Sequence, residues 1–330
     1  MFDLAAPIYT DETKAREHLE GIRWANGVYC PHCGGYDDIR KLGGAAADKG
    51  LWHCKPCRKK FTVTVGTVFE RSHIPLTKWL AAFHLMSASK KGISAHQGHR
   101  MLGLTYKTAW FMWHRIREAM KLGGLNVPPL GGPGKVVEVD ETYYGNKPEA
   151  ERPRVKRDGK PASKNAHFGV SQKRAIISLV ERGGPVRSFH VPAAHLENVV
   201  KIVRENVARE SRLHTDESRL YRNVGKEFAA HETVVHGEKE YARGDVTTNT
   251  VEGYFSVFKR GMRGTYQHCD ERHLHRYVAE FDFRYNNRAS LGVNDNERAR
   301  EALRGITGKR LTYKQAGTAR RDRKTEAPAG

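Results

Sequence analysis

Three stretches of the chain place acidic residues where chemistry is possible. VVEVDETYYG at 136–145 carries Asp140 and Glu141 at the end of a β-branched run, and RLHTD at 212–216 ends in Asp216, followed by Glu217. TTNTVEGYFSVFKRGMR at 247–263 adds Glu252, with Lys259 seven residues on. Carboxylates are almost never fully buried unless paired or bound to a metal. One acidic strand end therefore reads as solvated. Two such ends on neighbouring strands would converge, and that convergence favours a metal site over chance. Oxygen donors of this kind suit Mg²⁺ or Mn²⁺. Glu252 has a competing reading: with Asn249 as N-cap, it stands at N3 of a capping-box-like arrangement. For Lys259 the plainer reading is a solvated helix face.

A second constellation is made of cysteines. Cys30-Pro-His-Cys33 and Cys54-Lys-Pro-Cys57 are two C-x-x-C knuckles with twenty residues between them, at the edge of zinc-ribbon spacing. Each knuckle puts two thiolates on one tight turn, and two turns can close a tetrahedral, structural Zn²⁺ site. His32 and His53 stand beside these ligands, but four cysteines suffice. Trp52 and the alternating FTVTVGTVF at 61–69 predict ribbon strands. Cys269 is isolated and has no assigned role.

The acidic residues require a sheet and helices to hold them. Residues 136–139 predict a short central strand preceded by a glycine-rich loop. FGVSQ at 168–172, RAIISLVE at 174–181 and VRSFHV at 186–191 predict further strands, the last two joined by a turn at Gly183-Gly184. A helix over 196–207 and a strand over 212–216 follow, which together suggest a mixed sheet with helices packed on it. Val251, Tyr254, Phe255, Phe258 and Met262 form one helical stripe; Leu274, Tyr277, Val278, Phe281 and Tyr285 form another. Glu252 and Lys259 then lie on one side of the first helix, about 10 Å apart along its axis. Lys259, Arg260 and Arg263 are candidates for contact with a bound DNA strand. The polar stretch 146–165 reads as a basic loop beside the acidic strand end, or as a solvated insertion.

Before the sheet, Leu76, Trp79, Leu80 and Phe83 predict a helix. Ser94 can cap a short helix ending near Leu102, and Thr105 can cap the next after a turn at Gly103-Leu104. Ala109, Met112, Trp113, Ile116 and Met120 form the apolar face of that last helix. Thr105, Tyr106 and Lys107 stand at its exposed start, where a helix-turn-helix presents its base-contacting residues. An ordinary three-helix packing unit fits the pattern equally well. The net charge of +20, from 57 basic and 37 acidic residues among 330, favours DNA.

Length allows roughly two domains of ordinary size. The expected organisation is a zinc ribbon over 1–72, a helix-turn-helix-like module over 73–121 and a Gly/Pro-rich linker over 122–134. A catalytic domain over 135–307 and a basic, disordered tail over 308–330 complete it. No apolar run or lipidation signal points to a membrane, and MFDLAAPIYTDETKA lacks the pattern of a signal peptide. A cytoplasmic, reducing setting follows, so the five cysteines read as metal ligands or free thiols rather than disulfides.

The two knuckles, GTVFERSHIPLTKWL, VDETYYG, LHTDE and TNTVEGYFSVFKRGMRGTY together resemble bacterial insertion-sequence DDE transposases with an ISXO-like catalytic domain. The resemblance runs over about 24–288 and is most specific in its C-terminal half. It implies a ribonuclease-H-like α/β catalytic domain behind a zinc-binding DNA-recognition region. It implies Asp140, Asp216 and Glu252 as the metal-binding triad, Lys259 as companion, and Asn249 as the rival third position. Two Mg²⁺ (or Mn²⁺) ions about 4 Å apart would activate the attacking oxygen and stabilise the leaving one. The resemblance implies hydrolysis freeing a 3′-hydroxyl at the element's end, then attack by that hydroxyl on target DNA. The implied partners are terminal inverted repeats, target DNA and further copies of the chain assembled on DNA, in association with the nucleoid. A non-catalytic DNA-binding regulator and a ribonuclease-H-like nuclease are the alternatives. The intact triad argues against the first, and the N-terminal modules against the second.

Overall fold

The computed structural model describes residues 3, 5–123, 127–146 and 173–313. They form two compact units, one made of Met1–Leu122 with Asn287–Gly330 and the other of Gly123–Asn286. The basic loop expected over 146–165, except Asn146, and the strand expected at 168–172 lie outside the described residues.

The first unit opens with α1 (Pro7–Thr10) and α2 (Glu12–Arg23), whose N-cap Asp11 accepts from the N–H groups of Thr13 and Lys14. Then come β1 (Ile39–Lys41), α3 (Ala45–Asp48), β2 (Trp52–Cys54) and β3 (Lys60–Phe61), the strands forming an antiparallel sheet in the order β1-β2-β3. The strand expected through 61–69 stops at Phe61. Gly66, at φ +71°, takes a left-handed conformation, and the Thr67 hydroxyl donates to the Thr64 carbonyl, so the segment turns instead of extending. Val63, Val68 and Phe69 are nonetheless buried. Three helices follow: α4 (Leu76–Ala88), α5 (Ala95–Leu102) and α6 (Tyr106–Met120). Ser94 caps α5 through the Gln97 N–H, Gly103 leaves α5 in the left-handed region, and Thr105 caps α6 through the Thr108 N–H. Each of these stops and starts is where its residue type predicts it. α4 has no side-chain cap of its own; the Glu12 carboxylate accepts from the Leu76 N–H at 2.8 Å and the Thr77 N–H at 3.3 Å.

The second unit is built on β4 (Val136–Asn146), β5 (Lys173–Glu181), β6 (Val186–Val191), α7 (Leu196–Asn206), β7 (Arg212–Asp216), α8 (Arg222–Gly225) and β8 (Ala230–Val234). A two-stranded hairpin, β9 (Ala242–Arg243) and β10 (Val246–Thr247), leads into α9 (Asn249–Gly261), a π-helical turn over Met262–Tyr266 and α10 (Glu271–Asn286). The main sheet has the order β6-β5-β4-β7-β8. β4 pairs antiparallel with β5 and parallel with β7, and β7 runs parallel to β8. Three antiparallel strands extended by two parallel ones make a ribonuclease-H-like mixed sheet. Both faces are covered, which is why its inner strands read as nearly continuous apolar runs. Val137, Val139, Ile177 and Leu179 pack with Val199 and Val203 of α7 and Tyr221. On the other face Ile176 and Val180 pack with Val251, Phe255 and Phe258 of α9 and with Leu274 and Phe281 of α10. Glycine and proline predict a linker over 122–134, but Leu130 is buried in this core and exchanges backbone hydrogen bonds with Asn206 and Ala208.

After α10 the chain returns to the first unit through α11 (Asp295–Arg304). The boundary expected at 307 therefore falls after Asn286. Asn294 and Glu297 form a capping box, and Ala302 and Leu303 are buried. Gly305 lies against α6: a Cβ there would stand 2.1 Å from the Ala119 carbonyl oxygen. Residues 309–313, expected in a disordered tail, are anchored, with Leu311 buried and the Lys309 ammonium donating to the Ala119 carbonyl at 3.0 Å. Residues beyond 313 lie outside the described part.

Candidate active site

β4 decides where the acids point. Strand alternation sends Val137, Val139 and Glu141 to the α7 face and Glu138, Asp140 and Thr142 to the α9 face. The strand does not end at Asp140, as its composition predicts; it runs on to Asn146 because β5 pairs with it throughout. β7 pairs with β4 only from Val136↔Arg212 to Glu138↔His214. Two residues further, Asp216 ends β7 alongside Asp140. Glu252 comes from the first turn of α9.

These side chains meet in one cavity of 850 Å³ whose walls include Asp140, Asp216, His236, Glu252, Lys259 and Arg263. Burial, with Glu141, Asp216 and Glu252 close by, pushes the Asp140 carboxyl up to about 8. Burial also raises Asp216 and Glu141, and it lowers Lys259, which the Asp140 charge pulls back upward. A cluster of acids that resists ionisation in this way fits a cation as its missing partner.

The start of α9 is held from the sheet. Thr248, not Asn249, is its N-cap, and no side-chain cap bond forms there. The N–H groups of Thr250 and Val251 instead donate to Glu138 Oε2 at 2.8 and 3.0 Å, and the Thr250 hydroxyl donates to Oε1 at 2.7 Å. Glu138 is fully buried and paired with Arg182 at 2.8 Å. The capping-box reading of Glu252 is thus corrected. Its carboxylate accepts from the Thr248 hydroxyl at 3.2 Å, lies 3.4 Å from His236 Nε2 and faces the cavity. Asn249 is exposed at the first helical position and is not among the described residues lining the cavity.

The second acid of each pair does other work. Glu141 accepts from the Tyr221 hydroxyl at 2.5 Å. Glu217 accepts from the N–H groups of His236 and Gly237 at 2.9 and 3.0 Å and so fixes the turn that carries His236 to Glu252. Sequence reasoning passed over Glu138 and His236. Glu138 had a signal: a charge inside VVEV, on the same face as Asp140. His236 had none, since only the tertiary fold brings it to the site. Arg260 lies on the same helix, its Nε donating to the Ser256 carbonyl at 3.2 Å.

In the first unit the Sγ atoms of Cys30, Cys33, Cys54 and Cys57 lie within 4.8 Å of one another, with Cys30–Cys57 at 3.6 Å and Cys33–Cys54 at 3.7 Å. A tetrahedral ion with Zn–S bonds of about 2.3 Å separates its sulfurs by roughly 3.8 Å, so the four thiols fit a structural Zn²⁺. Thr105, Tyr106 and Lys107 stand together at the start of α6. Tyr106 is 44% exposed and stacks on His96 with ring centroids 4.2 Å apart, and Lys107 Nζ sits 4.8 Å from the Tyr313 ring centre.

A ribonuclease-H-like unit with an acidic cavity, joined to a four-cysteine ribbon and a three-helix module, has the architecture of a transposase. Residues 129–286 match the family model described as ISXO2-like transposase domain, and residues 10–60 match the transposase zinc-ribbon domain. The chain is 30% identical over 257 residues, 77% of its length and 84% of the relative's, to "Uncharacterized protein in transposable element ISH50" of Halobacterium salinarum. It belongs to the ISXO2-like family of insertion-sequence transposases. Among solved structures, a simian T-cell lymphotropic virus intasome in complex with PP2A regulatory subunit B56 gamma is similar at TM-score 0.27 and 12% identity, over 55% of this chain and 61% of that one. The Mos1 transposase paired-end complex with left transposon end follows at TM-score 0.26 and 12% identity, over 68% and 73%. Scores this low carry no argument about either unit.

Proposed function

We propose that this chain cuts and joins DNA at the ends of its own insertion sequence. The observation that carries this reading is the meeting of Asp140, Asp216 and Glu252 in one cavity, with Lys259 and Arg263 on its walls. The three carboxylates would hold Mg²⁺ or Mn²⁺, which when bound supplies charge neutralisation at a phosphodiester and activation of the attacking oxygen. Lys259 and Arg263 offer cationic donors to the phosphate oxygens of the strand, with Arg260 beside them. Glu138 keeps the start of α9, and so Glu252, fixed against the sheet. Thr105, Tyr106 and Lys107 would read the terminal repeat, with the ribbon as a folded support.

The reading includes a homo-oligomer assembled on DNA and a cytoplasmic, nucleoid-associated location. Among the described residues no helix is long and apolar enough to cross a membrane. The test is strand cleavage and joining by the purified full chain on duplexes bearing its element's ends, with and without Mg²⁺. We expect metal-dependent nicking at the ends. Asp140→Asn and Asp216→Asn should each lower it by several orders of magnitude while leaving DNA binding intact. Cleavage undiminished in both variants would reject the site.

A further inference from the structure

Lys107, Phe111 and Arg115 recur at every fourth residue of α6, so they stand in a row about 12 Å long on one face of the helix. The strap over 309–313 lies against that row. Leu311 is buried and its carbonyl accepts from Arg115 Nε at 3.3 Å. Tyr313 packs edge-on against Phe111, 5.6 Å between ring centroids, with Lys107 Nζ over its face. The loop before α4 supplies more of the same surface. There Ser72 Oγ accepts from the Ile74 N–H at 3.2 Å and from Trp79 Nε1 at 3.0 Å, which ties the loop to α4. Arg71, His73, Lys107, Phe111, Arg115 and Tyr313 all line one cavity of 330 Å³, and none of the described residues in its wall is acidic.

Two of these cations stand where folding alone does not favour them. Arg115 is only 6% exposed, and its guanidinium donates to main-chain carbonyls, of Leu311 through Nε and of Glu70 through Nη2 at 2.6 Å. The Glu70 carboxylate pairs instead with Arg310, at 3.7 Å. A buried charge without a counter-ion is costly. Arg71 takes a left-handed backbone at φ +56°, a conformation that favours glycine. An anion between Arg71, Lys107 and Arg115 would give both arginines their missing partner, and guanidinium groups suit a phosphate. The cavity is larger than a phosphate alone requires, and Ile74, Phe111 and Met112 give it an apolar side on which a sugar can rest. We propose that this cavity takes one backbone phosphate of the bound duplex on Arg71, Lys107 and Arg115, with its deoxyribose against Phe111, and so sets where α6 stands along the groove. The proposal rests on the DNA-reading role proposed for α6. It assigns the cavity to positioning, because a phosphate contact fixes register and carries no base sequence.

The test sets a single uncharged methylphosphonate at each position in turn of a terminal-repeat duplex. Affinity is measured for the full chain and for full-length Arg71→Gly, Lys107→Gln and Tyr106→Ala. Glycine suits the backbone at 71, so zinc content and thermal midpoint should not fall in Arg71→Gly. Its affinity should drop about tenfold for terminal-repeat and random DNA alike, and its log–log salt slope should shrink by about 1. One methylphosphonate should weaken the native chain about tenfold but Arg71→Gly and Lys107→Gln by roughly twofold at most, because phosphate and cation then act as a pair. Tyr106→Ala should lose discrimination and still respond to that methylphosphonate as the native chain does. Additive effects at every position, with discrimination lost in Tyr106→Ala, would overturn the proposal and leave α6 as the reader. Coupling of Arg71→Gly and Lys107→Gln to two different phosphates would also overturn it. Discrimination unaltered in Tyr106→Ala would instead overturn the reading of α6 on which the proposal is built.

Discussion

Single residues decide between two meanings of the same side chain at Glu252. Its position near a helix start is equally suited to capping and to metal binding. In the structure the N–H groups of α9 go to Glu138, which excludes the capping arrangement, and the Glu252 carboxylate lines the cavity. Glu252→Gln keeps shape and hydrogen bonding but removes the charge that, on the proposed function, would hold a divalent cation. We expect a folded, DNA-binding protein with cleavage reduced by several orders of magnitude and weaker Mn²⁺ binding by calorimetry. Asn249→Ala removes an exposed side chain and should leave both near normal. A dead Asn249→Ala beside an active Glu252→Gln would transfer the third ligand to Asn249. The acids themselves could be read from sequence because a carboxylate ending a β-branched run is conspicuous. The partners that aim them could not: His236 reaches Glu252 through a turn whose geometry depends on Glu217, nineteen residues before it.

At the scale of elements, two helices begin without caps of their own and borrow carboxylates from far along the chain. Glu12 serves α4, and Glu138 serves α9 from 112 residues away. Local cap rules therefore placed α5 and α6 correctly from Ser94 and Thr105 but misassigned the start of α9. Glu138→Gln leaves Arg182, itself about one-third exposed, without its buried counter-charge. The loss should destabilise the second unit by about 2 kcal/mol and loosen Glu252, read as a lower melting temperature together with slower cleavage.

The same layer of α9 and α10 holds a titrating group. Asp282 is buried and accepts from Tyr254, at 2.5 Å, and from the hydroxyl and N–H of Ser188. Burial raises its carboxyl to about 6 despite those bonds. A folded pKa above the unfolded one means that the folded state holds the proton more tightly. Its contribution to stability is thus full below pH about 4 and is lost as the pH rises through 6, on the order of 3 kcal/mol. Stability measured from pH 4 to 7 should fall less steeply in Asp282→Asn than in the native chain. Equal slopes would remove Asp282 as the source.

Across the whole molecule, the chain leaves its first unit, completes the second and comes back. Composition hid this return. Residues beyond 287 read as a continuation of the catalytic domain, although Asn294 and Glu297 spell a capping box that marks a new helix. The closure depends on a residue without a side chain at Gly305. Gly305→Val would force a methyl-bearing carbon into the Ala119 carbonyl and push the end of α11 off α6. Calorimetry should show the melting of the first unit lowered by several degrees or lost, with the second unit's transition unmoved and specific DNA binding abolished. A variant with both transitions intact would show that α11 is dispensable to the first unit.

Synthesis runs in one direction, and the discontinuous unit cannot. Gly123–Asn286 is contiguous, so the second unit has all its residues while the ribosome is still translating the segment that follows. α4 and α6 wait for α11 and for the strap over 309–313. A polypeptide broken off anywhere within the second unit carries the ribbon and the three helices but not the helix that closes them. On the proposed function, such fragments would compete poorly for the element's ends, and DNA recognition would arrive last, in molecules whose second unit is already made.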